Sequence, residues 1–342
     1  MTWSRRLGAD PTEWLLAGDP AVRAATLQRL LRLGADDPEV VASLRRALKV
    51  DPIAGILAAQ DEAGWWVKPG PGYAPKYRGT VWNLIFLEQL GADGTDERIR
   101  RACEYVLRVC PTSAGSFGCS GSHLERNPPP SAGIHCLNGN LAAALIGFGH
   151  VDDPVVRAAT DWAARTILGE GVDRWYASGT SGPGFECAAN DRHPCAWGAI
   201  KEMRALTAIP FDVRTPIEQR AIDRGVEFLL SRDPSRADYP MGYGNTKPSG
   251  SWFKLGFPSG YVCDVLQNLE VLCGAGVAGD PRLEPAFEWL VSQADEKGRW
   301  RNRYPYSGKT TVKIDPAGAP SRWVTLRACT VLRHRYGTLE EI

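Results

Sequence analysis

Three cysteines stand where the sequence signals a helix beginning. Cys136 lies in Gly133-Ile134-His135-Cys136-Leu137-Asn138-Gly139-Asn140, Cys195 in His193-Pro194-Cys195-Ala196-Trp197, and Cys263 in Gly260-Tyr261-Val262-Cys263-Asp264. A thiol at a helix N-terminus feels the positive end of the helix dipole, which favours the thiolate, the form that attacks carbon and binds metal. The competing explanation is packing, since small residues suit tight helix starts. Cys187 precedes Cys195 by eight residues, with His193 between them. Cys136, Cys187, Cys195 and His193 (or His135) have the residue types of a zinc site, but not the spacing of a Cys-x2-Cys knuckle. The metal-free alternative is acid–base chemistry by Cys187, Cys195, Cys136, His135 and Asp264. In an apolar cavity Asp264 and Glu186 would have the charged form disfavoured, which suits a general acid. Asp264 can equally be a helix N-cap, and Asn138 and Asn140 either bind a substrate oxygen or cap a helix. Lys201 sits inside an otherwise apolar helix and needs a partner, for which Asp264 and Glu186 are the carboxylates at hand. Tyr73, Tyr77, Trp82, Trp197, Trp252, Tyr261 and Trp323 are the aromatic residues expected to wall such a cavity, most of them as substrate contacts.

These residues must be positioned by two alternating kinds of helix. One kind opens with Asp or Pro and carries an apolar stripe with a charged opposite face: residues 96–109, 153–168, 216–231 and 280–293. The other is rich in small and apolar residues: 79–90, 137–148, 195–208, 261–274 and 321–336. The second kind reads as inner helices, buried on most sides. Their starts recur near Gly79, Cys136, Cys195, Tyr261 and Ser321, at steps of 57 to 66 residues. Residues 1–59 differ. Asp19-Pro20 and Asp37-Pro38 open short helices with an N-cap and a proline at the first helical position, and the segment is expected to cap the stack. The single strand-like piece, Lys309 to Ile314, is short and isolated.

Between outer and inner helices a glutamine is followed by glycine and tryptophan. Gln60, Gly64 and Trp66 form one copy, and Gln293, Gly298 and Trp300 another. Degenerate copies lie at Gly115-Ser116-Phe117, Gly171 to Trp175, and Gly250-Ser251-Trp252. A fixed period of this length signals a repeat architecture. The motif resembles that of the terpenoid cyclase and protein prenyltransferase superfamily over residues 60 to about 336. The resemblance implies an all-α fold, an α/α toroid of about five outer–inner pairs over residues 60–342, with residues 1–59 as a helical N-terminal cap. It also implies a central cavity, usually apolar and often holding isoprenoid chains. That superfamily's Asp-x-Asp-Asp, Asp-Asp-x-x-Asp and Asp-x-Cys signatures are absent here. Asp36-Asp37 and Asp152-Asp153 precede prolines and read as N-caps. The set of His or Cys followed by two cysteines about eight residues apart is loosely similar to that of the linalool dehydratase-isomerase family, whose α/α barrel acts on a monoterpene alcohol.

Composition narrows the classes further. Forty basic against 39 acidic side chains give a net charge of +1 with no basic stripe, so no nucleic-acid partner is expected. No transmembrane segment and no signal-peptide core are visible, so a cytoplasmic location is expected, with reduced thiols. Cys103, Cys110, Cys273 and Cys329 fall in apolar helical patterns and read as core. Twelve tryptophans are many to leave exposed and should line a core or cavity. No dinucleotide or phosphate-loop fingerprint is present. The sequence therefore supports three functions. The first is an enzyme of lyase or isomerase type that binds a hydrophobic, terpenoid-like molecule and uses no cofactor. The others are a zinc enzyme in the same cavity and a non-catalytic repeat protein binding a lipid or a protein.

Overall fold

A computed structural model describes residues 2–118, 127–171 and 181–337. Cys119, His123 and the repeat copy running to Trp175 lie outside them. Among the described residues fourteen α-helices follow one another: α1 (Trp3–Leu7), α2 (Thr12–Leu16), α3 (Pro20–Arg29), α4 (Pro38–Ala47), α5 (Ile53–Ala58), α6 (Thr80–Gln89), α7 (Glu97–Val109), α8 (His135–Gly147), α9 (Pro154–Leu168), α10 (Ala196–Ala208), α11 (Pro216–Leu229), α12 (Val265–Gly274), α13 (Glu284–Ser292) and α14 (Arg322–Tyr336). Among the described residues β-structure is confined to isolated bridges, and the Lys309–Ile314 piece is turn and bend.

The inner helices α6, α8, α10, α12 and α14 pack each on the next, and their outer partners α7, α9, α11 and α13 lie against them. This is an α/α toroid, all-α, as the repeat pattern implies. The N-terminal helices do more than cover one end. Helix α3 packs on α4 and α14, and its last residue, Arg29, reaches the ring interior beside Glu88 of α6.

The two strong repeat copies do the same mechanical work. The Trp66 indole donates to the Ile56 carbonyl at 2.8 Å while its backbone N–H donates to Thr80 Oγ1 on α6. Trp300 repeats both bonds, to Leu290 O at 2.8 Å and to Thr325 Oγ1 on α14 at 3.0 Å. Each buried indole thus pins an outer helix to its inner neighbour. The turn before it needs a left-handed residue, supplied by Gly64 (φ +93°) and Gly298 (φ +67°). In the degenerate copy Phe117 donates its backbone N–H to Asn138 Oδ1 at 2.9 Å. Asn138 therefore stands in for the threonines of the strong copies.

Helix starts follow the predicted caps. Asp96, Asp153 and Asp280 accept backbone N–H groups of the following turn, and Thr215 with Glu218 forms a capping box. The tightest helix pair is α8 with α10. A Cβ on Gly139 would lie 2.2 Å from the Lys201 carbonyl carbon, so only glycine allows this approach. Cys103, Cys110, Cys273 and Cys329 are buried in the core.

Candidate active site

The loop from Phe185 to Cys195 explains the eight-residue spacing of its two cysteines. Cys195 N–H donates to Phe185 O at 2.8 Å, and Arg192 N–H donates to Cys187 O at 2.9 Å. Asp191 (φ +53°) and Arg192 (φ +61°) turn the chain back in the left-handed region. Asn190 fastens this loop to the 239–245 segment, donating to Pro240 O and accepting from Gly242 N–H, both at 3.1 Å. Cys187 and Cys195 are thereby folded onto one another.

Cys136, the second residue of α8, completes the group. Cys195 lies beside Cys187 and beside Cys136, close enough for each neighbour to shift its titration. All three face a pocket of about 400 Å³ at the N-terminal ends of the inner helices. Tyr77, Trp197, Tyr239, Tyr243, Trp252 and Tyr261 wall it, and Lys76 reaches in with its ammonium 5.2 Å and 5.1 Å from the Tyr77 and Tyr261 ring centres. Burial lowers the Lys76 pKa against the opposing pull of Cys136.

Cys187 and Cys195 are held as thiols. The neighbouring Cys136, with burial, pushes Cys195 up to about 12. Cys187 is raised further, first by its neighbour Cys195 and then by burial. Burial lifts Cys263 to about 12. The expectation that helix dipoles would favour the thiolate fails at Cys195 because the neighbouring Cys136 outweighs a dipole, and at Cys263 because desolvation does. Cys263 is also not on a helix, since α12 begins at Val265 after the N-cap Asp264.

The other sequence-predicted residues separate into wall, frame and surface. Tyr77, Trp197, Trp252 and Tyr261 line the pocket. Trp82 and Tyr73 stand behind this wall, the Trp82 indole donating to Tyr73 O at 2.8 Å. Trp323 is elsewhere, stacked on Phe257 at 4.9 Å. His135 is buried, with Nδ1 3.1 Å from Glu202 Oε1 and Nε2 3.3 Å from Gly182 O, so its ring is committed to the frame. Asn138 donates to Glu202 and Ala159 O and likewise belongs to the frame. Asp264 accepts from Gln267 N–H at 2.8 Å and Gly256 N–H at 3.0 Å, which uses both carboxylate oxygens in capping. It borders a separate void of about 10 Å³. Asn140 faces away from the thiols and donates to Gly260 O. Lys201 pairs with neither Asp264 nor Glu186 but donates to Gln267 Oε1. His193 is exposed and does not line the pocket. Of the zinc set Cys136, Cys187, Cys195 and His193, the three cysteines share the pocket and His193 stands apart from them. Among the described residues no three His, Cys, Asp or Glu side chains are arranged to hold a metal ion.

Sequence reasoning missed Glu202, whose place beside Lys201 on an apolar helix was a usable signal. It also missed Asn190 and the 239–245 segment, which carry no periodicity to betray them.

No protein-family model matches the chain, and no curated protein matches it. Solved structures with a similar chain path include an unsaturated glucuronyl hydrolase specific for heparin, at 12% identity and TM-score 0.49, covering 98% of this chain and 88% of that one. The type II terpene cyclase MstE from Scytonema is similar at 16% identity and TM-score 0.43, covering 92% and 88%. Its complex with geranylgeranyl dihydroxybenzoate gives 13% identity and TM-score 0.32, covering 83% and 95%. Among the described residues no helix is long and apolar enough to cross a membrane.

Proposed function

We propose that the protein is an enzyme that admits a small, mainly apolar molecule of terpenoid type to the thiol pocket and moves protons on it, in an isomerisation or dehydration. One observation carries this: three thiols from α8 and the 185–195 loop converge on one aromatic-walled pocket. On an allylic alcohol, one thiol gives its proton to the hydroxyl and water leaves. The thiolate so formed takes a proton from the carbon next to the cationic centre, and an alkene results. The proton count of the sulfur is then restored. A thiolate whose thiol has a raised pKa is a strong base, so the sulfur that gave up the proton recovers one from the substrate rather than from solvent. Aromatic faces stabilise the transient cation.

The test is incubation with acyclic terpene alcohols, with products read by mass spectrometry. Loss of water to give an alkene, abolished in Cys187→Ala and Cys195→Ala, is the expected result. The proposal fails if no alcohol loses water and none protects the pocket thiols from maleimide.

A further inference from the structure

A second chamber lies inside the same ring, away from the thiols. Segment 256–263 crosses the ring between them. Ser259 exchanges two hydrogen bonds with the Gln89 side chain, at 2.7 Å and 2.8 Å, and Gly260 O accepts from Asn140. Beyond it a pocket of about 220 Å³ is bordered by Arg29, Glu88, Asn140, Lys201, Arg204, Glu270 and Arg327, among others. Two ion pairs are closed within it, Arg204 with Glu88 and Arg327 with Glu270. That leaves Arg29 and Lys201 as cations without a carboxylate of their own. Lys201 is spoken for by Gln267, but the Arg29 guanidinium makes no hydrogen bond or ion pair with any described residue, and Arg29 lines the pocket. Two further atoms lack partners: Arg204 Nη1, a donor, and Asn140 Oδ1, an acceptor. Asn140 is wholly buried. Buried polar atoms are nearly always paired, so an orphan donor and an orphan acceptor at the wall of one water-sized space need an explanation.

We propose that this chamber is a binding site for a small phosphate-bearing molecule. Arg29 and Arg204 Nη1 supply charge-assisted donors to the anion, and Asn140 Oδ1 accepts from a hydroxyl on the ligand. Glu88 and Glu270 face the same space but are neutralised by their own arginines. Hydrogen phosphate carries both features, an anionic oxygen and a hydroxyl donor, and so does glycerol 3-phosphate. This proposal is independent of the chemistry assigned to the thiol pocket.

The test is calorimetric titration of the full chain with inorganic phosphate, glycerol 3-phosphate and succinate at matched ionic strength. Saturable binding of one phosphate compound per chain is expected, weakened about tenfold to a hundredfold in Arg29→Gln. Arg29→Gln breaks no ion pair, and its melting temperature is recorded to show that the fold is kept. No saturable phosphate binding, or binding unchanged in Arg29→Gln, overturns the proposal. Succinate lacks the hydroxyl donor, so succinate binding as tightly as phosphate overturns the role of Asn140.

Discussion

At one end of the inner ring, three thiols and six aromatic rings face a pocket of about 400 Å³. At the other, three arginines, a lysine and two glutamates border a pocket of about 220 Å³. The first is assembled largely from the loops that precede the inner helices. The second is assembled mostly from the bodies of α3, α6, α8, α10, α12 and α14. A rigid helical ring thus leaves its loops free to carry chemistry, while its helix bodies fix charges that must be balanced in place. The same burial that keeps the thiols neutral would be ruinous for unpaired charge, and the charged chamber meets this with closed ion pairs.

The largest predicted effect tests whether the thiol end depends on the charge hidden behind it. His135→Ala leaves Glu202 buried with only Asn138 to donate to it, at a cost of about 3 kcal/mol in unfolding free energy. Burial already raises the Glu202 pKa. A carboxyl with a raised folded-state pKa binds more protons when folded, so stability is greatest at low pH and lost as pH rises. In His135→Ala the deficit should shrink as pH falls toward the usual carboxylate range. Chemical denaturation at several pH values measures this, and a deficit independent of pH would assign it to packing alone.

Next come the thiols. Cys187→Ala and Cys195→Ala should each lower turnover on an active alcohol by about a hundredfold, the scale of general acid–base catalysis, with little change in melting temperature. Equal losses of turnover and stability would move these cysteines from chemistry to framework. The buried thiols also make stability depend on pH. Cys103, Cys195, Cys263 and Cys273 are each pushed up to about 12, the buried core thiols by burial and Cys195 first by its neighbour Cys136. An unfolded thiol titrates near 8.5. Their folded pKa values are raised, so stability is intact below about pH 8.5 and falls as pH climbs toward 12, by about 1.4 kcal/mol per pH unit for each thiol. Alkaline melting that is unaffected by replacing these cysteines with alanine would contradict this.

How much of this the sequence disclosed depends on the range of the contact. The Asp-Pro helix starts and the Gln60–Trp66 and Gln293–Trp300 turns were legible because each is made within a few residues. The meeting of Cys136 with Cys195 was legible as well, since both open inner helices at equivalent points of the repeat. His135 with Glu202, 67 residues apart, was not, nor was Asn190 with Gly242, because no local period encodes such pairs. Asp264 and Asn138, each read as either a site residue or a cap, act in the structure as fasteners, capping α12 and bracing Phe117. Arg29 lies in a stretch that read as a cap, so nothing marked it as facing the interior.

The smallest effect sharpens the contrast within the charged chamber itself. Arg327 is nearly buried, pairs with Glu270 and donates to Gly256 O at 2.9 Å, so Arg327→Gln strands a carboxylate and a carbonyl together. Arg29→Gln strands nothing: Glu88 and Glu270 attract the charge it removes, and Arg327 and Arg204 oppose it. Its unfolding free energy should therefore change by no more than about 0.5 kcal/mol. Burial lowers the Arg29 pKa, which says the same thing: the fold holds this cation at a small cost and gets no ion pair in return. A group kept under those terms is there for something outside the fold. Comparing the two variants by denaturant unfolding decides it, because a loss in Arg29→Gln as large as that in Arg327→Gln would make Arg29 one more structural cation and remove the asymmetry on which the second chamber's role depends.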